Sequence, residues 1–204
     1  TKLELFCEEH ADADAETMQM AAFQMEQLDR LSALVRTLLS MSNLQSVSRT
    51  DEIALAPLAE EILTDLAPLA QENQVTLRLD CEEVSMVGSD ALIYRLLFNL
   101  IENAIEGLNQ SPRTAKEVLV SIRESEENLL MCVEDTGPGI PAELRRTMFQ
   151  RGISTKGRSR GTGLSLVREV VEAYHGEIRV ESESGVGTSF FISFHREETP
   201  DGKE

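Results

Sequence analysis

The chain has 204 residues, 41% of them hydrophobic, enough for one good core with a small second element beside it. No run approaches the roughly 18 apolar residues that span a bilayer, and no signal-peptide pattern opens the chain, so it reads as soluble. Lys+Arg number 19 against Asp+Glu 36, a formal net charge of −17, which repels nucleic acid and argues against it as a partner.

Cys7, Cys81 and Cys132 are odd in number and widely spaced. They form no CxxC and suggest no disulfide framework, so a reducing cytoplasm is the simpler setting. The chain begins at Thr1 without a Met and reads as a trimmed piece of a longer protein. Charge is unevenly placed. Residues 144–168 hold no acid but carry Arg145, Arg146, Arg151, Lys156, Arg158, Arg160 and Arg168. A basic island in an acidic chain suggests a small anionic ligand, although a solvated basic face looks the same in sequence.

Over residues 18–44 the apolar positions Leu28, Leu31, Val35 and Leu38 fall at heptad spacing, with Leu34, Leu39 and Met41 widening the stripe. Residues 1–48 read as a partial helical hairpin whose second helix covers about 15–46. Such a stripe packs either on a dimer partner or on this chain's own globular part. The second domain is expected over 52–196, with a polar tail at 197–204. It reads as helix 58–72, strand 75–79, helix 89–109, strands 118–123 and 129–133, a Gly-rich basic loop to Gly161, helix 162–174, and strands 177–180 and 189–194. Helices and antiparallel strands come in blocks rather than in strict alternation. That predicts an α+β sandwich with helices on one face of a mixed, mostly antiparallel sheet.

Three local patterns carry chemistry. Asn99 and Asn103 are four apart and share one helix face. Two carboxamides there offer oxygens to a hard cation such as Mg²⁺, which keeps phosphate and water ligands. In Val133-Glu-Asp135-Thr-Gly137-Pro-Gly139-Ile140 a strand ends in an acid and turns at once through two glycines. Glycine lets backbone approach a ligand, and an ionised Asp accepts hydrogen bonds only, as an exocyclic amino group requires. In Ser154-Thr-Lys156-Gly-Arg-Ser-Arg-Gly161-Thr162-Gly163-Leu164 glycines precede a helix start, where free N–H groups attract phosphate. No Gly-Lys-Ser/Thr closes it, so it is not a Walker loop, and the Rossmann spacing is absent. Each pattern alone also fits an ordinary helix face, turn or loop.

In order and spacing the three resemble the N, G1 and G2 boxes of bacterial two-component sensor histidine kinases. These belong to an ATPase superfamily shared with gyrase and mismatch-repair ATPases. Met148-Phe149 resembles the F box, and Gly185-Val-Gly187-Thr188-Ser-Phe190 the final glycine motif. Residues 28–42 resemble the second helix of the dimerisation hairpin. The resemblance implies the Bergerat-type ATP-binding fold, ATP and Mg²⁺ as ligands, and transfer of the γ-phosphate to a histidine of the dimerisation domain. It also implies relay to the aspartate of a response-regulator receiver domain, a homodimer through the hairpin, and a cytoplasmic place beneath a membrane-bound sensor.

By the same resemblance Asn103, helped by Asn99, holds Mg²⁺, and Asp135 binds the adenine amino group. Gly137, Gly139 and Ile140 shape the adenine pocket. Lys156, in a lid that orders on nucleotide, reaches the terminal phosphates. Gly161, Thr162, Gly163 and Leu164 turn backbone N–H groups to the phosphates, Thr188 meets adenine through water, and Arg95 faces the phosphates. Two positions depart from the pattern: Glu106 stands where many members carry Lys or Arg, and Ser165 replaces a common glycine. The short Ser-Thr-Lys lid is similar to nitrogen- and dicarboxylate-sensing kinases. Gyrase-like relatives carry a Glu base at the place of Asn99, and an amide cannot activate water. Transfer is therefore expected over hydrolysis, the alternatives being a hydrolysing relative and a nucleotide-binding regulator without transferase activity. None of His10, His175 or His195 has the acidic-then-Pro neighbourhood of an acceptor, so the acceptor is expected upstream of Thr1.

Overall fold

The computed structural model describes residues 51–109, 115–149 and 163–195. The expected hairpin, Lys156, Gly161, Thr162 and the tail lie outside the described residues.

In chain order the elements are β1 (Asp51–Ala54), α1 (Leu55–Glu72), β2 (Thr76–Cys81), β3 (Ser85–Gly88), α2 (Asp90–Asn109), β4 (Glu117–Glu124), β5 (Asn128–Asp135), α3 (Ala142–Arg145), α4 (Gly163–Ala173), β6 (Glu177–Glu183) and β7 (Gly187–His195). Five strands form one sheet in the order β2-β4-β5-β7-β6. Only β2 and β4 run parallel; the other neighbours are antiparallel. The mixed, mostly antiparallel sheet expected from the sequence is the one observed. A separate ribbon pairs β1 with β3.

The strands alternate because one face alone is covered. Val118, Val120 and Ile122 of β4, Leu129, Met131 and Val133 of β5, and Phe190, Ile192 and Phe194 of β7 are all buried. The helices lie on that face. α2 is the central one, packed against α1, α4, β4 and β5. Its apolar positions Leu92, Ile93, Leu96, Leu97, Leu100, Ile101, Ala104, Ile105 and Leu108 recur at helical spacing and are all buried. A helix with so wide an apolar stripe is stable only between two layers, which leaves one narrow polar face for other work.

Chain ends of the helices are closed by backbone geometry. Asn73 donates its side-chain amide to the Leu69 carbonyl, and Gln74 takes a left-handed φ of 57° before the chain enters β2. After α4 the left-handed residue is His175, φ 55°, rather than Gly176. Gly176 is required for space instead, since a Cβ there would stand 2.6 Å from the Ser193 carbonyl oxygen. Cys81 sits opposite Ile122 and Cys132 opposite Ser121, so the two thiols lie on opposite faces of the sheet. Both are free thiols.

Candidate functional site

The site is built where α2, β5, α4 and β7 meet. Asp135 is the last residue of β5 and continues the inward series Leu129, Met131, Val133. The alternation that buries those three also turns the carboxylate toward the helices. Burial pushes the Asp135 carboxyl up to about 6; the N–H groups of Gly137 and Thr188 oppose the rise, and neighbouring Glu134 adds to it. Gly137 donates its N–H to Asp135 Oδ1 at 2.7 Å, so the turn after the strand is locked onto the acid that precedes it. A half-buried carboxylate aimed inward, at the end of a hydrophobic row, can recognise a donor group on an otherwise apolar ring.

The loop after Asp135 is fastened to β6 and β7. Ile140 donates its N–H to Ser182 Oγ at 2.7 Å, and Gly185 donates to the Pro138 carbonyl at 2.8 Å. Arg145 of α3 donates to the Ser182 carbonyl at 3.1 Å. Gly139 has a φ of 76°, and a Cβ on it would stand 2.3 Å from the Glu183 carbonyl oxygen, so only glycine fits. Thr188 is buried and lies opposite Asp135 in the β5–β7 ladder. Its hydroxyl is 3.1 Å from Ser182 Oγ. Ser182 thus ties Ile140 to Thr188, a role that sequence reasoning missed. A lone half-buried Ser near the end of an alternating strand offers no signal of it.

On the other side, Asn99 and Asn103 meet the start of α4. A Cβ on Gly163 would stand 2.8 Å from Asn99 Oδ1 and 3.7 Å from Asn103 Nδ2. Asn99 donates its side-chain N–H to the Arg95 carbonyl at 2.6 Å, one turn back, which fixes the amide and leaves Oδ1 toward α4. The N-terminal N–H groups of α4 have no partner within the helix. A carboxamide oxygen of Asn99 beside such a helix start, with the Asn103 carboxamide one turn on, is a donor set that suits a hard cation. Among the described residues no three His, Cys, Asp or Glu side chains form a metal-binding group.

Of the residues expected at the site, the structure brings together Asn99, Asn103 and Gly163 at one end and Asp135, Gly137, Gly139, Ile140 and Thr188 at the other. Leu164 is half-buried and its side chain packs on the core. Arg95 lies one turn before Asn99 on α2 and is half-buried. Met148 is buried and Phe149 stands edge-on to Phe190, ring centroids 6.5 Å apart. The pair anchors the chain against β7 beside Thr188.

Comparison with known proteins agrees with this geometry. Residues 88–198 match the family described as histidine kinase-, DNA gyrase B- and HSP90-like ATPase. The heme sensor protein HssS of Staphylococcus saprophyticus is 31% identical over 82% of this chain and 36% of its own length. The C4-dicarboxylate transport sensor protein DctS of Rhodobacter capsulatus is 33% identical over 71% of this chain and 23% of its own. The sensor histidine kinase DcuS of Escherichia coli is 43% identical over 50% of this chain and 18% of its own. The chain therefore spans about a third or less of these relatives. Among solved structures, full-length ShkA in complex with AMPPNP superposes with a TM-score of 0.70 at 22% identity, over 89% of this chain and 39% of that one. The Acinetobacter baumannii histidine kinase AdeS gives 0.68 at 20% identity, over 95% and 91%. The nucleotide-free catalytic domain of histidine kinase ThkA gives 0.63 at 22%, over 74% and 97%. With more than half its length matched, the chain belongs to the histidine kinase-, DNA gyrase B- and HSP90-like ATPase family, and within it resembles the C-terminal catalytic portion of sensor histidine kinases.

Proposed function

We propose that this chain binds Mg-ATP and passes the γ-phosphoryl group to a histidine of a dimerisation hairpin, for relay to the aspartate of a response regulator. The observation that carries the reading is Asp135. It is a partly desolvated acid at the end of a core strand, clamped by the N–H of Gly137, with Gly139 and Gly187 giving the backbone room beside it.

The ionised Asp135 accepts from the exocyclic amino group of adenine, while the apolar wall formed by Ile140 and the end of α2 takes the ring. Asn99 and Asn103 hold the divalent cation at the phosphate end, and the start of α4 turns N–H groups to the phosphates. The cation, when bound there, would supply charge neutralisation on the phosphates. The acceptor imidazole nitrogen forms the new N–P bond, the bond from phosphorus to the bridging oxygen breaks, and ADP leaves. Asn99 has no proton-accepting carboxylate, so it does not activate water, and transfer is favoured over hydrolysis. Lys156, Gly161 and Thr162 complete the phosphate contacts in this reading. The homodimer, the receiver-domain partner and a cytoplasmic position in a membrane-bound sensor belong to the same proposal. Among the described residues no helix is long and apolar enough to cross a membrane.

Calorimetry with a non-hydrolysable ATP analogue and Mg²⁺ tests binding, and phosphate release from ATP tests hydrolysis. Saturable binding with slow release is the expected pair. Absence of binding overturns the reading, and rapid release replaces it with a hydrolase.

A further inference from the structure

We propose that Glu106 recognises the ribose of the bound nucleotide. The inference rests on the nucleotide-binding reading above and adds a residue that none of the motifs assigns. α2 runs along the site from end to end. At one point Asn99 abuts Gly163, whose Cβ position lies 2.8 Å from Asn99 Oδ1 at the start of α4. Further along the same helix Leu108 abuts the turn that follows Asp135, its Cδ2 3.7 Å from the Cβ position of Gly137. The two contacts mark the phosphate end and the adenine end on a single helix.

Glu106 lies between them. It follows Asn103 by three residues and Asn99 by seven, so the three side chains share the one polar face that α2 leaves unburied. At the helical rise, Glu106 stands about 4.5 Å beyond Asn103 toward the adenine end and about 3 Å short of Leu108. A nucleotide stretched along this face has its sugar at that height. A cation at this place would be drawn to the phosphates. A carboxylate is repelled by them, and its oxygens accept from neutral donors, which the two vicinal hydroxyls of ribose supply. Glu106 is half-buried, so the bond is partly shielded from water. The following residue, Gly107, has open space at its Cβ position and no side chain to compete with the sugar.

The test uses this chain with Mg²⁺ and three probes: ADP, 2′-deoxy-ADP and 3′-deoxy-ADP. Calorimetry is run on the native chain, Glu106→Gln and Glu106→Ala, with thermal unfolding showing that each variant is folded. The native chain should bind ADP roughly tenfold or more tighter than at least one deoxy form, as loss of a hydrogen bond to a charged group implies. In Glu106→Ala, ADP should fall to the deoxy level and the discrimination should vanish. Glu106→Gln, which keeps an acceptor without the charge, should lie between. Equal discrimination in native and variant chains overturns the assignment. So does an equal loss for all three nucleotides that tracks Mg²⁺ concentration, which would make Glu106 part of the metal site. Binding of ADP without sugar discrimination sinks the ribose inference alone; no binding of ADP by the native chain sinks the nucleotide reading beneath it.

Discussion

Gly187 stands so close to Asp135 that a Cβ placed on it would lie 2.0 Å from the Asp135 backbone carbonyl oxygen. Its φ of 153° is also one that side chains rarely adopt. The last glycine motif of the sequence is thus a spacer for the backbone of Asp135, distant in sequence and adjacent across the β5–β7 ladder. Gly187→Ala should lower stability by about 1–3 kcal/mol and weaken nucleotide binding together, because relief of the clash displaces Asp135. Gly185→Ala is the control: φ there is 75°, but its Cβ meets nothing within 4 Å. It should cost about 1–2 kcal/mol with affinity unchanged. Thermal unfolding and calorimetry on both variants check the contrast.

Nucleotide affinity should depend on pH through Asp135. Its carboxyl is raised from 3.8 to about 6 by burial. The folded chain without nucleotide therefore holds that proton more tightly than the unfolded chain does. The stability this gives is fully present below the unfolded value and is lost as pH rises through about 6. Adenine needs the ionised form, so binding draws the carboxyl back down and releases a proton in that window. Affinity should fall below pH 6, approaching about tenfold per unit. Calorimetry between pH 5 and 7, in two buffers of different ionisation enthalpy, reads both effects. Asp135→Asn should lose most of the affinity and the pH slope with it; a flat profile in the native chain would assign adenine recognition elsewhere.

The sandwich was legible because long amphipathic segments have strong periods. α2 was expected over 89–109 and found at Asp90–Asn109; β5 was expected over 129–133 and runs two residues further, to Asp135. That extension ends the strand on the acid, as the pattern over 133–140 leads one to expect. β1 and β3 were missed. Each has four residues, too few for alternation to show, and their pairing is visible only once Ser85 bonds Glu52 at 2.6 Å. The start of α1 at Leu55 was hidden by Pro57, which the first turn of a helix accepts. The motifs drew attention to Gly139 and Gly187, but not to the backbone oxygens that leave no room for a Cβ on either, nor to Ser182 joining the loop to Thr188. Those are contacts between distant strands, and no local pattern encodes them.

Two neighbouring positions on α2 should separate folding from binding. Leu100 is fully buried in the core, and Asn103 lies on the polar face near Gly163. Leu100→Ala should cost about 2–5 kcal/mol of stability through the cavity it leaves. Asn103→Ala should leave the thermal midpoint nearly unchanged and remove most of the gain in nucleotide affinity that Mg²⁺ provides. The measurement is a pair of ADP titrations, with Mg²⁺ and with EDTA, alongside thermal unfolding. If Asn103→Ala keeps its Mg²⁺ dependence, the metal is held by other residues.

The last expectation is that this chain binds ATP but does not phosphorylate itself. Its histidines are His10, His175 and His195, of which the first lies outside the described residues. His195 pairs with Asn128 at one end of the β5–β7 ladder, while Thr188 pairs with Asp135 at the other. Seven strand residues separate the two ends, about 23 Å. His175 follows α4, whose first residue, Gly163, is the one near Asn99 and Asn103. The helix is 11 residues long, about 16 Å, so His175 lies at the far end from the phosphates. It is also held in the left-handed turn that closes the helix. Neither side chain can reach a γ-phosphate bound in its own chain. Both are exposed, so transfer between two copies is the remaining route to either. Incubation with γ-labelled ATP over a range of chain concentrations should leave the protein unlabelled. A longer piece of the same protein that carries the first hairpin helix should take up acid-labile phosphate. Label that appears on this chain and disappears in His10→Ala would place the acceptor within residues 1–50 and overturn the assignment of the acceptor to a preceding segment.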